Sequence, residues 1–260
     1  MKLPVNQIMR EAQNIIKKNF FLLFKRVFFI TILFIPIGYI FITLESYDTL
    51  YPLLLALIAY MGLSVLFAIT IHRIVLLGDD SISPYGHFFW SQREWIFLGY
   101  IIFINLFLEL FSSLIAWATG FFYMFFSSFM GFYSAWMMIL NNKMYLFVAI
   151  VLLILFLFIS IWGYRFSMIF PALAIGKKSV GLKWATKITK GNGFRLFWIN
   201  SMPVLIGFLL FDVSTFFDRM ERLLGEYVSL FLLLFTILLL TMYQIILISI
   251  SFKYLEEGEE

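Results

Sequence analysis

The chain has 260 residues, of which 63% are hydrophobic, 21% aromatic and 13% charged, with a mean hydropathy of +0.97. Soluble domains average about 45–50% apolar and about 25% charged residues, so a soluble fold could not bury this much apolar surface. The absence of Cys excludes disulfides, thiolate catalysis and Cys-ligated metals. The net charge of +4 does not indicate nucleic-acid binding, because the basic residues flank apolar segments, as topology and anionic headgroups require.

The first 26 residues are predicted to form an amphipathic cytoplasmic helix. Its apolar face holds Ile8, Met9, Ala12, Ile15, Ile16, Phe20 and Leu23, and its polar face holds Asn6, Arg10, Gln13, Asn14 and Lys17. Such a helix is expected to lie at the membrane interface and to lead into the first span. The alternative is a plain basic flank. A cleavable signal is not predicted, because no A-x-A-like site follows the first apolar run.

Six apolar stretches are long enough for membrane spans, which need about 20 residues each. They cover about residues 27–44, 50–77, 95–118, 145–164, 194–211 and 228–252, and an acidic tail follows at 253–260. Pro36 and Gly38 predict a kink in the first span. The sequence therefore predicts an all-α polytopic membrane protein, one domain over residues 1–260, with six transmembrane helices plus amphipathic interfacial helices.

The distribution of Lys and Arg predicts the orientation, because cytoplasmic loops are enriched in positive charge. With six spans and a cytoplasmic N-terminus, the inner side carries 16 of the 19 basic residues, and the outer side carries Lys143, Arg219 and Arg222. If residues 120–140 also crossed the membrane, the split would fall to 11 against 8. We therefore expect six spans with both termini in the cytoplasm.

Residues 119–144 are predicted to form an aromatic segment on the outer face. Nine aromatic side chains fall within residues 121–136, and aromatic rings favour the membrane interface. Ser127, Gly131 and Ala135 recur every four residues, which suits close helix packing. The pattern favours a helical hairpin arm that dips into the outer leaflet or lies on it, and a seventh span is the alternative.

The segment between the fourth and fifth spans is predicted to carry a short basic helix. Pro171 should break the preceding helix, and Ser179 should cap the new one. The residues 191–193, Gly-Asn-Gly, should end it. Its apolar face consists of Val180, Trp184 and Ile188, and its basic face consists of Lys183, Lys187 and Lys190. A basic helix with Trp on its apolar face is expected on the inner membrane surface.

Seven basic residues around this helix form a predicted belt that contacts anionic lipid headgroups: Arg165, Lys177, Lys178, Lys183, Lys187, Lys190 and Arg195. Trp184 should be anchored below these charges. Arg165 is the predicted specific contact, because its guanidinium fork suits a pair of phosphate oxygens. The alternative is that the belt residues only set the topology.

Three polar residues lie within or at the end of predicted spans: Asn105, Glu109 and Asp212. Asn105 and Glu109 share one face of the third span. Intramembrane carboxylates are costly unless they are partnered, so a proton or cation site is one interpretation of this pair. The favoured interpretation is structural, with Glu109 bonded to a neighbouring helix or close to the outer interface.

The sequence lacks a catalytic or metal-binding constellation. His72 and His87 are the only histidines, there is no H-E-x-x-H, and no carboxylate is spaced to join them as a metal ligand. The residues Gly176 to Ser179 are similar to the end of a phosphate loop, but Pro171 stands where that motif needs its first Gly. We therefore predict no metal, no cofactor and no enzymatic activity.

The fourth span and the basic helix contain four short motifs: Tyr164-Arg165-Phe166-Ser167, Pro171-Ala172-Leu173-Ala174-Ile175-Gly176, Trp184-Ala185 and Thr189-Lys190-Gly191-Asn192. They resemble the polytopic module found as the membrane domain of some glycerophosphodiester phosphodiesterases and in similar stand-alone bacterial inner-membrane proteins. The segment from His72 to Asp79 resembles a second recurrent element of that module. The resemblance implies a fold and a bacterial inner-membrane location. It implies no hydrolase activity, because the sequence shows no counterpart of the phosphodiesterase domain.

The second and fourth spans both run inward and both end in an arginine, Arg73 and Arg165. Each arginine is followed by a short connector and a span that returns outward, and the first connector runs from Ile74 to Glu94 and the second from Phe166 to Gly193. The chain is therefore interpreted as two similarly oriented hairpins, or as unrelated hairpins that share only their hydropathy.

These observations favour a non-enzymatic protein of the bacterial cytoplasmic membrane. Its expected partners are membrane lipids, and its expected role is association with envelope lipids or scaffolding. The alternative function is a small transporter that uses the intramembrane carboxylate Glu109. A transporter predicts a hydrated cavity that reaches Glu109, whereas a scaffold predicts tight packing.

Overall fold

The computed structural model describes residues 2–44, 50–130, 143–211 and 225–258, and every regular element in these residues is helical. The helices are α1 (Val5–Leu44), α2 (Leu50–Leu77), α3 (Gln92–Met130), α4 (Lys143–Phe166), α5 (Ile169–Ala174), α6 (Leu182–Ile188), α7 (Gly193–Phe211) and α8 (Glu226–Glu257). A 3-10 turn at Asp79–Ser81 follows α2. The predicted all-α fold is confirmed for this part of the chain.

Five helical stretches are long and apolar enough to cross a membrane: Val5–Ile37, Leu54–Leu77, Gln92–Phe111, Ile150–Ala174 and Phe235–Glu257. They overlap five of the six predicted spans. The remaining predicted span, 194–211, is helical as α7, but the side chains of residues 208–211 lie outside the described ones. Large apolar side chains such as Leu55 and Leu153 face outward on these helices, as contact with lipid requires.

The long first helix consists of two segments joined at Asn19, where the backbone departs from helical geometry (φ −115°, ψ 15°). The boundary between the amphipathic segment and the first span therefore lies at Asn19, before the predicted boundary at residue 26. Pro36 lies inside the second segment without a non-helical backbone angle, so the predicted kink at Pro36 and Gly38 is not the break in this helix.

The apolar face of the first segment of α1 packs against protein. Ile8 and Ala12 are fully buried in one core with Ile246 of α8. The hydroxyl of Tyr254, also on α8, donates a hydrogen bond to Glu11 Oε2 at 3.1 Å. The amphipathic pattern predicted an interfacial helix, but helix packing within the bundle accounts for the same pattern.

The third helix continues without interruption to Met130. The helix therefore extends past residue 118, where the span is predicted to end, because Gly120 lowers helix propensity by only about 1 kcal/mol and no Pro follows it within the helix. Residues 131–142 of the predicted aromatic segment lie outside the described residues. The seventh span therefore stays an untested alternative.

The short helix of the basic segment begins later than predicted. Ser179 adopts a left-handed conformation (φ 60°), and Gly181 is the residue that precedes α6. Ser179 therefore does not cap α6, because it lies before the loop residue at which the helix starts. Pro171 lies within the short α5, which follows α4 after a two-residue turn.

Six helix ends meet at one end of the bundle, which we call the basic end: the starts of α1, α3 and α7 and the ends of α2, α4 and α8. The backbone N–H of Leu3 donates to Asn192 Oδ1 at 2.9 Å, which ties the start of the chain to the start of α7. His72 Nδ1 lies 2.7 Å from Ser249 Oγ, which joins α2 to α8. Residues near both ends of the chain therefore lie on the same side of the protein.

Candidate functional site

The seven residues of the predicted basic belt all lie at the basic end, but they divide into two groups. Lys178, Lys183, Lys187 and Lys190 are exposed. Their ammonium groups have no hydrogen bond or ion pair with any residue that the structure describes. The other three, Arg165, Lys177 and Arg195, are engaged in contacts within the protein. Only the first group is therefore available to an external anion without rearrangement.

Arg165 connects the end of α4 to α6. Its Nε donates to Thr189 Oγ1 at 2.9 Å, and its Nη2 donates to the carbonyl oxygen of Thr186 at 2.7 Å. The guanidinium carbon lies 4.6 Å from the centre of the Trp162 ring, a cation–π distance. Gly193 stands where a Cβ would approach the Arg165 side chain to 3.3 Å. Arg165 therefore stabilises the position of α6, and its predicted specific contact with a phosphate stays a prediction.

Lys177 and Trp184 pack against the end of α8. Lys177 forms an ion pair with Glu256, and its ammonium group lies 5.5 Å from the Trp184 ring. The Trp184 ring in turn lies 6.2 Å from that of Phe252. Trp184 was expected to be anchored in the membrane. It is half-buried between protein elements instead, because the end of α8 covers its apolar face.

Two of the exposed lysines border a cavity of about 150 Å³ at the basic end. Its lining includes Lys2, Lys187, Lys190, Asn192 and Tyr254. Three lysines border this small cavity, so the local potential there is expected to favour an anion.

A more open groove lies beside this cavity and is lined by Phe194, Arg195 and Trp198 of α7 together with the start of α1. Phe194 and Trp198 are both exposed. The guanidinium of Arg195 donates through Nη1 to the carbonyl oxygen of Leu3, which fixes the charge at the edge of the apolar surface. The groove thus places apolar side chains beside a positive charge. An anionic phospholipid has the complementary parts, which are apolar acyl chains beside a negatively charged phosphate.

The predicted intramembrane polar residues do not line either cavity. Asn105 and Glu109 are exposed on α3. Asn105 Nδ2 donates to the carbonyl oxygen of Ile101 at 2.8 Å, and Ser113 Oγ donates to Glu109 Oε1 at 3.4 Å. Asp212 lies outside the described residues. The transporter interpretation of Glu109 stays a prediction.

A buried polar cluster at the start of α3 is absent from the sequence-based expectations. The Glu94 side chain is completely buried and accepts hydrogen bonds from several donors. They are His87 Nε2 at 3.0 Å, Ser91 N at 2.7 Å, the Ser91 hydroxyl, Arg93 Nε at 2.9 Å and Arg93 Nη2 at 2.8 Å. This carboxylate is thus surrounded by donors, and it fixes the first turn of α3 to the preceding connector.

The sequence contained a signal for this cluster. Ser91 and Glu94 form an S-x-x-E capping box, in which the Glu side chain reaches back to the N–H of the capping Ser. The sequence predicted no carboxylate that would join His87 as a metal ligand, and Glu94 contacts His87 as a hydrogen-bond partner, because the connector folds back over the start of α3. Burial lowers the pKa of His87 despite its hydrogen bond to Glu94, so the imidazole is neutral near pH 7.

A second pair of charged residues lies at the same end. Arg26 donates through Nε to Asp79 Oδ1 at 2.7 Å and through Nη2 to Asp79 Oδ2 at 2.6 Å. This two-pronged hydrogen bond holds the pKa of Asp79 below its usual range. It fixes the first connector to α1.

Comparison with models of known protein families, with curated proteins and with solved structures finds no match. Within the described residues, no group of three or more His, Asp or Glu side chains is arranged to hold a metal ion.

Proposed function

We propose that the protein is a multi-pass protein of the bacterial cytoplasmic membrane that binds anionic lipid headgroups at its basic end, on the inner side, without enzymatic activity. The exposed ammonium groups of Lys183 and Lys187 on α6 and of Lys190 just after its end, together called the α6 lysines, carry this proposal. Each such charge near an anionic leaflet contributes about 1 kcal/mol to membrane binding. The protein would thereby act as a scaffold that concentrates anionic lipids in the inner leaflet.

The cavity and the groove beside α6 support the same proposal. Lys187 and Lys190 line the cavity together with Lys2, so a phosphate group there would lie close to three basic residues. The exposed rings of Phe194 and Trp198 extend the apolar surface from this cavity along α7. The two features together match the polar and apolar parts of a phospholipid.

The inner location of the basic end is supported by the charge distribution and by the motifs of the second connector. Sixteen of the 19 basic residues are assigned to the inner side by the six-span threading. The resemblance of these motifs to a bacterial inner-membrane module points to the same membrane. Lys and Arg enrichment of cytoplasmic loops then gives the orientation.

The proposal is tested by replacing Lys183, Lys187 and Lys190 together with Gln. The purified variant is mixed with phosphatidylcholine and phosphatidylglycerol or cardiolipin, and the lipids that it retains are counted by native mass spectrometry. At about 1 kcal/mol for each charge, the three changes should weaken retention of the anionic lipids roughly a hundredfold. Retention of phosphatidylcholine should not change.

A matched control removes three positive charges from the same end without touching α6. Lys17, Lys18 and Lys253 are all exposed, and they are changed together to Gln. This variant should retain anionic lipids nearly as well as the wild type. Equal retention by the wild type and the α6 variant would show that the α6 lysines only set the topology, and the proposal would be wrong.

A further inference from the structure

Arg73, in the last turns of α2, makes no hydrogen bond and no ion pair through its side chain with any described residue. Its side chain is partly shielded from solvent, and its Nε atom is buried without a hydrogen bond. The structure shows no hydrogen bond or ion pair to this guanidinium from any residue that it describes. A shielded cationic donor without an acceptor is costly, so native proteins normally supply a partner for it.

A second arginine makes the surplus of positive charge larger. Arg93 lies close enough to Arg73 for the two charges to repel each other, and Glu94 lies close enough to attract both. The Glu94 carboxylate is already bonded to Arg93 through Nε and Nη2. The neutral imidazole of His87 adds no charge. Two guanidinium groups therefore share one carboxylate, and one positive charge remains uncompensated.

One donor of Arg93 lies beside the second connector. A Cβ at Gly176, in the second connector, would lie 3.8 Å from Arg93 Nη1. Gly176 has a positive φ of 80°, so a side chain at this position would also strain the backbone. The bare backbone of the second connector thus lies beside the free end of the Arg93 fork.

Exposed aromatic rings surround this region at the start of α3. Phe89 is 77% exposed and Trp95 is 62% exposed. The rings of Trp90 and Trp95 meet edge to face with centres 5.2 Å apart. Aromatic side chains of this kind are enriched where the apolar part of a bilayer meets its headgroups. The neighbouring Arg93 is therefore expected near the depth at which lipid phosphates lie.

We propose that Arg73 and Arg93 form a binding site for a phosphate oxyanion, and that the phosphate of an anionic lipid headgroup is its natural occupant. One phosphodiester charge would balance the one positive charge in excess. Guanidinium forks match phosphate oxygens in geometry and form charge-assisted hydrogen bonds. Glu94 and Ser91 are positioning residues that hold Arg93 in place. The site deepens the proposed function but uses different residues from the α6 lysines.

The test measures the unfolding temperature of the purified protein in a neutral detergent as an anion is added. Short-chain phosphatidylglycerol is the lipid probe, and inorganic phosphate is the soluble probe. The wild type should be stabilised by phosphatidylglycerol with a saturable dependence. In Arg73→Gln the half-saturating concentration should rise by about tenfold or more, because a charge-assisted contact is lost.

The anion-free protein provides a second readout that a structural role would not give. Because Arg73 forms no described bond, Arg73→Gln should unfold at the wild-type temperature or above it in the absence of added anion. Arg10→Gln is the matched control, since Arg10 is exposed at the same end of the chain. Arg10→Gln should keep the response to phosphatidylglycerol.

The outcomes separate this site from the α6 lysines. If the α6 variant keeps the Arg73-dependent response, the two sites are independent, and failure of one leaves the other standing. Stabilisation by phosphatidylglycerol alone assigns the site to lipid, and an Arg73-dependent response to inorganic phosphate as well assigns it to the oxyanion in general. If Arg73→Gln responds like the wild type, or unfolds at a lower temperature without anion, the proposal is wrong.

Discussion

The two connectors at the basic end follow helices that both end near an arginine, but among the described residues only the second connector supplies hydrogen-bond acceptors to its arginine. In the second connector, Arg165 donates to the neutral oxygens of Thr186 and Thr189. In the first, no residue that the structure describes provides such an acceptor for Arg73, and the adjacent carboxylate, Glu94, is bonded to other donors. Two arginines at similar places in their hairpins therefore differ. Arg165 is hydrogen-bonded within the protein, whereas Arg73 keeps a charge that no described residue pairs with.

The difference follows from what each connector places opposite its arginine. The second connector forms α6, whose last turn presents a carbonyl oxygen and a hydroxyl to the guanidinium. The first connector forms no helix after the Asp79–Ser81 turn, and it contributes His87 and Ser91 to Glu94 instead. We therefore expect a functional role at Arg73, whose guanidinium forms no hydrogen bond within the described part of the fold.

The largest effect is expected when Glu94 is replaced by Gln. The change removes the carboxylate that the structure places among a buried group of donors, so that Arg73 and Arg93 lose the negative charge that the described residues supply to them. Breaking a buried ion pair by removing one partner costs about 3–5 kcal/mol. Denaturant unfolding in detergent should show this loss, while Glu257→Gln, at an exposed position, should unfold like the wild type. A stable Glu94→Gln variant would contradict the role given to the first connector.

The second prediction concerns the second connector. Arg165→Lys keeps the charge but loses the planar fork that reaches Thr186 and Thr189 and the stacking on Trp162. We expect a loss of about 2 kcal/mol in unfolding free energy. The loss should be the same with and without phosphatidylglycerol, and Arg10→Lys should cost almost nothing. A loss seen only when anionic lipid is present would restore Arg165 as a headgroup contact.

Much of the fold follows from residue patterns that act along a single helix. The length of the apolar stretches predicts the long helices, because about twenty consecutive apolar residues are typical of a helix that spans a membrane. The amphipathic start of α1 was also detectable, but whether Ile8 meets lipid or α8 depends on packing that periodicity does not encode. The pairing of His87 with Glu94 required the connector to fold back on α3. Only the S-x-x-E pattern at Ser91 carried part of that information.

A smaller effect is expected at the cap of α3. Ser91→Ala removes the hydroxyl that bonds to Glu94 and to the N–H of Arg93. Losing a capping side chain costs about 1 kcal/mol. Ser91→Thr keeps the hydroxyl and should recover most of this stability in the same unfolding measurement. Equal stability of Ser91→Ala and the wild type would remove Ser91 from the positioning of Arg93.

The smallest effect is expected from the pair that fixes the first connector to α1. Arg26 holds the pKa of Asp79 below its usual value, so the pair stabilises the protein above that value and its contribution disappears as the pH falls through the lowered pKa. Asp79→Asn should cost about 1 kcal/mol near pH 7, because the pair is partly exposed. The stability difference between the two proteins should shrink as the pH falls through the lowered pKa of Asp79, and a difference that stays constant as the pH falls would contradict this account.

The account depends most on both connectors lying at the inner face of the membrane. Because the chain has no Cys, single cysteines at Asp80 and Lys183 can be labelled without background in bacterial cells that express the protein. A membrane-impermeant maleimide should leave both positions unlabelled in intact cells and label both after permeabilisation. A cysteine at Lys143, which is predicted to lie outside, serves as the accessible control. Labelling of Asp80 or Lys183 positions in intact cells would contradict the account directly.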